Sequence, residues 1–183
     1  MCSSDLNVDS IVPIGYATTV YDSTGNLTDT LVTAGSNREE ATFDELPKDL
    51  INAFVAIEDS RFWTHNGIDL RSISRAAVGV LTGENRGGGS TITQQLIKNL
   101  TQYDDVTVKR KVLEIFRALE VEKRYTKSEI MEWYLNTIYL GEGCYGVQSA
   151  ARVYFGKKVS DLTTAECASL IAITNNPSRY DPL

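Results

Sequence analysis

Residues 107–135 read TVKRKVLEIFRALEVEKRYTKSEIMEWYL, and this stretch decides the fold class. Its first eighteen residues predict one long amphipathic helix, 107–124, whose apolar face contains Val108, Val112, Ile115, Phe116 and Leu119. Thr126 and Glu129 then have the spacing of a capping box, which predicts that a second helix begins there. Two long helices joined by a short capped turn are typical of a mainly α protein.

The helical pattern continues on both sides of this stretch. Helices are predicted over residues 47–62, 70–81 and 147–155, and another begins at Ser90 or Thr91 and continues to Leu100. A second capping box, Thr163-x-x-Glu166, begins a last apolar helix. Residues 16–32 differ, because β-branched and aromatic residues flank a glycine-containing turn at 22–26, which predicts a β-hairpin. Residues 1–10 have no structural pattern.

Composition excludes several classes of protein. With 183 residues the chain can form one well-buried domain, with room for a small subdomain. Its longest apolar runs are far shorter than the roughly 20 residues of a membrane span, and its start lacks the pattern of a signal peptide. We therefore expect any membrane contact to be peripheral or to use an anchor outside this chain. Three cysteines without metal-ligand spacing indicate free thiols, and the single histidine, His65, excludes multi-histidine metal sites.

Charge is distributed unevenly along the chain. The net charge is −6, but residues 1–60 carry −9 and residues 98–127 carry +3. A nucleic-acid partner is not expected, because such proteins are normally basic overall. The local basic region suits a compact anion such as a pyrophosphate, although a solvated charged helix face explains it equally well.

A glycine run directly before a helix start is the first candidate for a binding site. Gly87, Gly88 and Gly89 would let the backbone approach a ligand, and the free N–H groups of the following helix would favour an anion. The spacing differs from that of a P-loop. Hydroxyls and amides that suit phosphates and sugars follow the run, on Ser90, Thr91, Thr93, Gln94 and Gln95. The alternative is a flexible surface loop with a serine cap.

Two carboxylates in different settings are the second candidate. Glu58 follows the apolar stretch 53–57, so partial removal from water would make it a useful base, with Asp59 beside it. Glu114 lies four residues after Arg110 and three after Lys111, among cations that keep a carboxylate ionised. Such a pair is expected of acid/base chemistry at a sugar centre. A polar helix end and a surface salt-bridge stripe are the simpler alternatives.

Five groups of residues resemble the motifs of the family 51 peptidoglycan glycosyltransferases, found as monofunctional transglycosylases and in class A penicillin-binding proteins. The first three are Glu58-Asp59-x-x-Phe62-x-x-His65-x-Gly67, Gly88-Gly89-Ser90-Thr91-Ile92-Thr93-Gln94-Gln95-Leu96-x-Lys98-Asn99 and Arg110-Lys111-x-x-Glu114. The fourth and fifth are Lys127-x-x-Ile130-x-x-x-Tyr134-Leu135-Asn136 and Ala150-Ala151-x-x-Tyr154-Phe155-Gly156-Lys157. All five occur in the family's order, between about residue 38 and the end.

The resemblance implies a mainly α fold, with a lysozyme-like helical lobe, a smaller membrane-facing jaw lobe and, here, a short N-terminal β-hairpin. It divides the chain into a lead-in, residues 1–37, and a glycosyltransferase domain, residues 38–183. The glycine-rich segment before Ser90 is expected to be a mobile lid. The hairpin and the ending favour a domain excised from a bifunctional penicillin-binding protein, whose membrane helix and transpeptidase domain lie outside this chain.

The implied activity is polymerisation of lipid II into β-1,4-linked glycan with inversion. Glu58 would be the general base, and Glu114 would assist departure of the pyrophosphate; a divalent cation, Mg or Mn, bound at Glu58 or Glu114 is the cofactor that the resemblance allows. His65 would order the loop.

Substrate binding would fall to Asp59, Phe62, Ser90, Thr91, Gln94, Gln95, Lys98, Asn99, Arg110 and Lys111. The partners would be lipid II, the growing chain and the membrane surface, at the extracytoplasmic face of a bacterial cell membrane, and the family is the target of moenomycin.

Two other functions compete with this interpretation. A muramidase-like hydrolase would attack finished glycan with water, but Arg110 and Lys111 beside Glu114 favour a leaving group that bears phosphate. A catalytically inactive cell-wall binding module would have no use for both glutamates, the glutamine pair and Lys98.

Overall fold

The computed structural model describes residues 18–21, 27–31, 39–83, 88–101 and 108–180. The predictions for residues 1–10, for the hairpin turn at 22–26 and for the start of the lid at 84–87 concern residues outside these ranges. Eight α-helices form the described part of the chain. They are α1 (Lys48–Glu58), α2 (Leu70–Thr82), α3 (Ile92–Thr101), α4 (Val108–Arg124), α5 (Lys127–Thr137), α6 (Val147–Phe155), α7 (Thr164–Asn175) and α8 (Pro177–Tyr180). The predicted mainly α fold is confirmed.

The predicted hairpin is also present, as strands β1 (Thr18–Tyr21) and β2 (Leu27–Leu31), paired antiparallel with Thr18 opposite Leu31. The strand pairing contains an irregularity between Val20 and Tyr21.

The helix ends follow the capping signals of the sequence. Thr126 and Glu129 exchange hydrogen bonds before α5, and Thr163 and Glu166 do so before α7, as capping boxes do. Helix α2 ends at Gly83, whose φ of 71° is left-handed. Helix α1 is shorter than predicted: it ends at Glu58, where a turn begins.

The chain divides into two compact units, Met1–Val12 with Phe54–Tyr134 and Pro13–Ala53 with Leu135–Leu183. The first unit contains every residue of the three motifs around Glu58, the glycine run and Glu114. In the second unit the amide of Asn136 fixes the backbone of Ala41 with two hydrogen bonds, of 3.0 and 2.9 Å. Its core includes Leu140, Val147 and Leu170. The two cysteines that are described, Cys144 and Cys167, are buried there and form no disulfide.

Helix α4 buries a face that the apolar pattern did not predict. Val112 and Phe116 are 45% and 58% exposed, whereas Glu114, Ala118 and Val121 are buried. The reason is the close approach of Gly67, since a Cβ there would lie 2.7 Å from the carbonyl oxygen of Ala118. A small residue on α4 and a glycine opposite it allow this approach, and the buried face turns toward the contact. None of the described helices has the length and apolar character needed to cross a membrane.

Replacing Gly67 with alanine should destabilise the protein by about 3 kcal/mol, because a left-handed residue (φ 89°) would also collide with the backbone of Ala118. Gly83→Ala is the matched control: its φ is 71°, but no atom lies within 4 Å of the added Cβ. That variant should lose only about 1 kcal/mol. Urea denaturation of both variants measures the difference, and equal losses would contradict the importance of the Gly67 contact.

Asp69 begins α2 and anchors the segment that leads to it. Its carboxylate accepts hydrogen bonds from the N–H groups of Arg71 and Ser72 and from the guanidinium of Arg61, the last at 2.5 Å. Burial by itself would raise the pKa of this carboxyl, but the bonds from Arg61 and Ser72 outweigh it and lower the pKa to about 2.

The lowered pKa of Asp69 predicts a loss of stability in acid. Because the carboxyl titrates at 3.8 when unperturbed and at about 2 in the folded protein, its contribution is complete above pH 4 and declines as the pH falls toward 2. Asp69→Ala should therefore cost about 1 kcal/mol at pH 7 and less at pH 2. Urea denaturation of both proteins across this range tests the prediction, and a constant difference would contradict it.

Candidate active site

Glu58 is the last residue of α1 and is partly accessible to water. Its Oε2 accepts a hydrogen bond of 2.9 Å from the side-chain Nε2 of Gln95, on α3. The other end of the same amide, Oε1, accepts a bond of 3.2 Å from the hydroxyl of Tyr134, on α5. One carboxylate oxygen of Glu58 thus accepts a hydrogen bond from Gln95, and Gln95 is itself held by Tyr134.

Asp59, the next residue, is buried, and its carboxylate supports the site from inside. Its Oδ2 accepts from the N–H of Ile92, at 3.0 Å, and lies 2.7 Å from Nε2 of His65. The N–H of Gly67 donates to Nδ1 of His65, so Nε2 carries the proton that His65 donates to Asp59. His65 therefore orders the turn after α1, as predicted, and Asp59 joins this turn to the start of α3.

The start of α3 is satisfied within the protein. Thr91 and Gln94 form a capping box, in which the N–H of Thr91 donates to Oε1 of Gln94 and the N–H of Gln94 donates to Oγ1 of Thr91. The Thr91 hydroxyl also donates to the carbonyl of Gly67, at 2.7 Å. Since Asp59 already occupies the N–H of Ile92, these three N–H groups do not offer the free anion-binding donors that the sequence predicted.

Lys111 supplies a positive charge beside the glycine run. Its Nζ donates to Oγ of Ser90, at 2.8 Å, and forms an ion pair with Glu114. The carboxylate of Glu114 is buried, whereas the Lys111 side chain is 42% exposed. Lys111 is thus a cation that pairs with a buried carboxylate and remains accessible to solvent. Its ammonium can bind an additional anionic partner.

The remaining residues that the sequence predicted for the site differ in how deeply they are buried. Phe62 is fully buried, and the ammonium of Lys127 lies 4.4 Å from its ring centroid, so Phe62 belongs to the core and not to the accessible surface. Lys98 is exposed on α3 and Asn99 is half-buried there, while Arg110 is half-buried on α4.

Sequence reasoning missed one supporting cluster. Glu122 accepts a hydrogen bond from the Thr93 hydroxyl, at 2.5 Å, and an ion pair from Lys127, at 2.7 Å. These contacts fix α3 against α4 and against the start of α5. The only sequence signal was the presence of Thr93 and Lys127 in motifs, because Glu122 itself stands in a run of alternating charges.

The residues proposed as metal ligands, Glu58 and Glu114, each have another partner within the protein. The Glu114 carboxylate has the Lys111 ammonium as its counter-charge, and Glu58 accepts from an amide. Among the residues described, no three His, Cys, Asp or Glu side chains are grouped as metal ligands. Mg²⁺ is commonly held by one or two carboxylates together with substrate phosphates, so a cation bound with the pyrophosphate stays a prediction for these two residues.

A family model described as Transglycosylase matches residues 24–183. The chain belongs to the transglycosylase family. It is 44% identical over 165 residues to penicillin-binding protein 1F of Bacillus subtilis (strain 168), covering 90% of this chain and 23% of that protein. It is 47% identical over 167 residues to penicillin-binding protein 1A of Aquifex aeolicus (strain VF5), covering 91% and 23% respectively.

Penicillin-binding protein 1A of Escherichia coli (strain K12) is 43% identical over 166 residues, which are 90% of this chain and 19% of that protein. The chain therefore spans about a fifth to a quarter of the curated relatives that it matches. These findings confirm the family and the enzyme class, glycosyltransferase, that the five motifs predicted.

Proposed function

We propose that this transglycosylase domain polymerises lipid II into β-1,4-linked peptidoglycan strands. The observation that supports this best is the position of Lys111, bonded at once to Ser90 of the glycine run and to the buried Glu114. Lys111 provides a cation that suits a pyrophosphate, and Ser90 beside it provides a polar group that suits a sugar. Glu58, bonded to the same helix α3 through Gln95, supplies a separate carboxylate for proton transfer.

Glu58 acts as the general base in this reaction. Its carboxylate takes the proton of the 4-hydroxyl of the acceptor sugar, and the oxygen forms a new bond to C1 of the donor sugar. The bond between C1 and the pyrophosphate oxygen breaks at the same centre, and its electron pair leaves with the pyrophosphate. Attack opposite the leaving group inverts the anomeric carbon. Oε1 of Glu58 is the oxygen suited to take the proton, because Oε2 already accepts from Gln95.

Lys111 and Arg110 stabilise the negative charge that develops on the departing pyrophosphate. Glu114 holds Lys111 in place and assists departure through it, and its burial keeps the pair in one geometry. Ser90, Lys98 and Asn99 contact phosphates and sugars of the donor. Lys98 is the one cation of α3, and it is exposed.

The other predicted binding residues act mainly by supporting the site. Thr91 and Gln94 fix the start of α3. Asp59 joins the start of α3 to the turn after α1, and Phe62 packs in the core. Gln95 orients Glu58. By holding these positions, they support the residues that contact the substrate.

The partners proposed for the whole protein follow from its relatives. Proteins named penicillin-binding proteins match at 43–47% identity, and we propose that this domain belongs to such a protein, with a transpeptidase domain elsewhere in its chain. Its substrates, lipid II and the lipid-linked growing strand, place it at the outer surface of the cell membrane.

Incubating the purified chain with labelled lipid II in detergent, with and without moenomycin, tests the proposal. We expect glycan polymer that moenomycin suppresses. A parallel incubation with finished glycan distinguishes the hydrolase, which would shorten that glycan and leave lipid II unchanged. Either that result, or a failure to use lipid II in membrane-mimetic vesicles as well as in detergent, would contradict the proposal.

A further inference from the structure

Three side chains from three helices form a directed hydrogen-bonded row that ends at Glu58. The Tyr134 hydroxyl on α5 donates to Oε1 of Gln95 on α3, at 3.2 Å, and Nε2 of Gln95 donates to Oε2 of Glu58 on α1, at 2.9 Å. We infer that Tyr134 is a positioning residue of the transferase, acting on the Glu58 base through Gln95. This inference rests on the proposed function of Glu58.

The chemistry of the three groups fixes the direction of the row. An ionised carboxylate can only accept, so the NH₂ end of the Gln95 amide must face Glu58. The carbonyl end then faces Tyr134, where only a hydroxyl hydrogen can complete the bond. If the amide were turned over, its oxygen would face the carboxylate and the bond to Glu58 would be lost. The Glu58 carboxylate thus fixes which end of Gln95 faces it, and the Tyr134 hydroxyl holds the other end of the amide in place.

The surroundings of Tyr134 keep its hydroxyl protonated and in place. Its side chain is buried, and its ring meets the edge of Phe54 with centroids 6.0 Å apart. Burial, together with the negative charges of Glu58 and Asp59, raises the pKa of Tyr134 above its usual range. The hydroxyl therefore remains protonated, and able to donate, at neutral pH.

The two carboxylate oxygens of Glu58 therefore have different roles. Oε2 is engaged by the Gln95 amide, which also limits rotation of the carboxyl group. Oε1 is then the oxygen that takes a proton from an acceptor hydroxyl in the proposed reaction. Such orientation matters in catalysis, because small misplacements of a reacting group reduce the rate strongly.

Tyr134→Phe removes the hydroxyl and keeps the ring. In the lipid II assay it should lower kcat about tenfold while KM changes less than about twofold, because substrate contacts remain. Tyr125→Phe is the control: Tyr125 packs edge-to-face against Trp133 in the same unit, outside this row, and should behave like wild type.

A double-mutant cycle separates positioning from general structural support. Gln95→Met removes both hydrogen bonds while nearly keeping the side-chain volume, so adding Tyr134→Phe to it should cost almost nothing further in kcat. If Tyr134 supported only the fold, the two losses would add. Additive losses, or a Tyr134→Phe enzyme with the wild-type kcat, would overturn the inference and leave the proposed function intact.

A measurement without substrate decides the inference if the chain makes no polymer. With ¹³C-carboxyl-labelled glutamate, the Glu58 signal can be assigned from its disappearance in Glu58→Gln and then compared between variants at one pH. Its chemical shift should change in Tyr134→Phe and in Gln95→Met, because the first variant loosens and the second removes the hydrogen bond to Oε2. An unchanged chemical shift in Tyr134→Phe would overturn the inference, whereas absent polymer with a changed chemical shift would count against the proposed function alone.

Discussion

Replacing Glu58 with glutamine should reduce the rate of lipid II polymerisation about a thousandfold or more. The variant keeps the shape of the side chain, and its amide oxygen can still accept from Gln95, so the fold and the row from Tyr134 should persist. It cannot take a proton from the acceptor hydroxyl at neutral pH. General bases typically contribute 10²- to 10⁴-fold to rates, and here the same group also orients the acceptor. Initial rates of polymer formation from lipid II measure the loss.

Glu120→Gln is the matched control for this prediction. Glu120 lies on α4 and pairs with Lys123 and Arg124 on the surface, at 3.5 and 3.0 Å. It should retain the wild-type rate, because surface ion pairs contribute little. Thermal unfolding should show that both variants are folded. A Glu58→Gln enzyme within tenfold of wild type would remove Glu58 from the role of base.

Replacing Lys111 with methionine should lower kcat about a hundredfold, the second largest effect that we expect. The variant removes the cation nearest to the glycine run and leaves the buried Glu114 carboxylate without its partner. The departing pyrophosphate then meets a negative charge where the positive charge had been, so the transition state loses more than the ground state. Single-turnover kinetics with lipid II measure the chemical step directly.

Two further variants separate charge from structure at this position. Lys111→Arg keeps a cation and should recover much of the lost rate, whereas Lys123→Met removes a cation of α4 that is 72% exposed and should have no effect. Because an unpaired buried carboxylate also destabilises a protein, the melting temperature of Lys111→Met should fall as well. A Lys111→Met enzyme that binds lipid II weakly but turns it over normally would contradict a role in departure of the leaving group.

Local sequence rules predicted most of the helices because their signals are local. The capping boxes at Thr126 and Thr163 fix where α5 and α7 begin, since a side-chain oxygen satisfies the free N–H groups of each helix start. Gly83 ends α2 because glycine adopts a left-handed backbone without steric cost. These devices depend on residues three or four positions apart, and a single sequence displays them in full.

Contacts between distant segments could not be predicted in the same way. The exposed side chains of Val112 and Phe116 look like a core face until the contact of Gly67 with Ala118 is known. Similarly, the carboxylate that occupies the start of α3 comes from Asp59, thirty-three residues earlier in the chain. The motifs indicated which residues form the site, but which of them contact a substrate and which support the site depends on tertiary contacts.

The ratio of lipid pyrophosphate released to glycosidic bonds formed tests the central claim most directly. The purified chain would be given lipid II, and both products would be counted over the same interval. Transfer driven by departure of pyrophosphate predicts one pyrophosphate for each new β-1,4 bond, with both falling together in Glu58→Gln. Pyrophosphate released without new bonds would mean hydrolysis of the donor by water, and would contradict the assignment of this domain as a polymerising transferase.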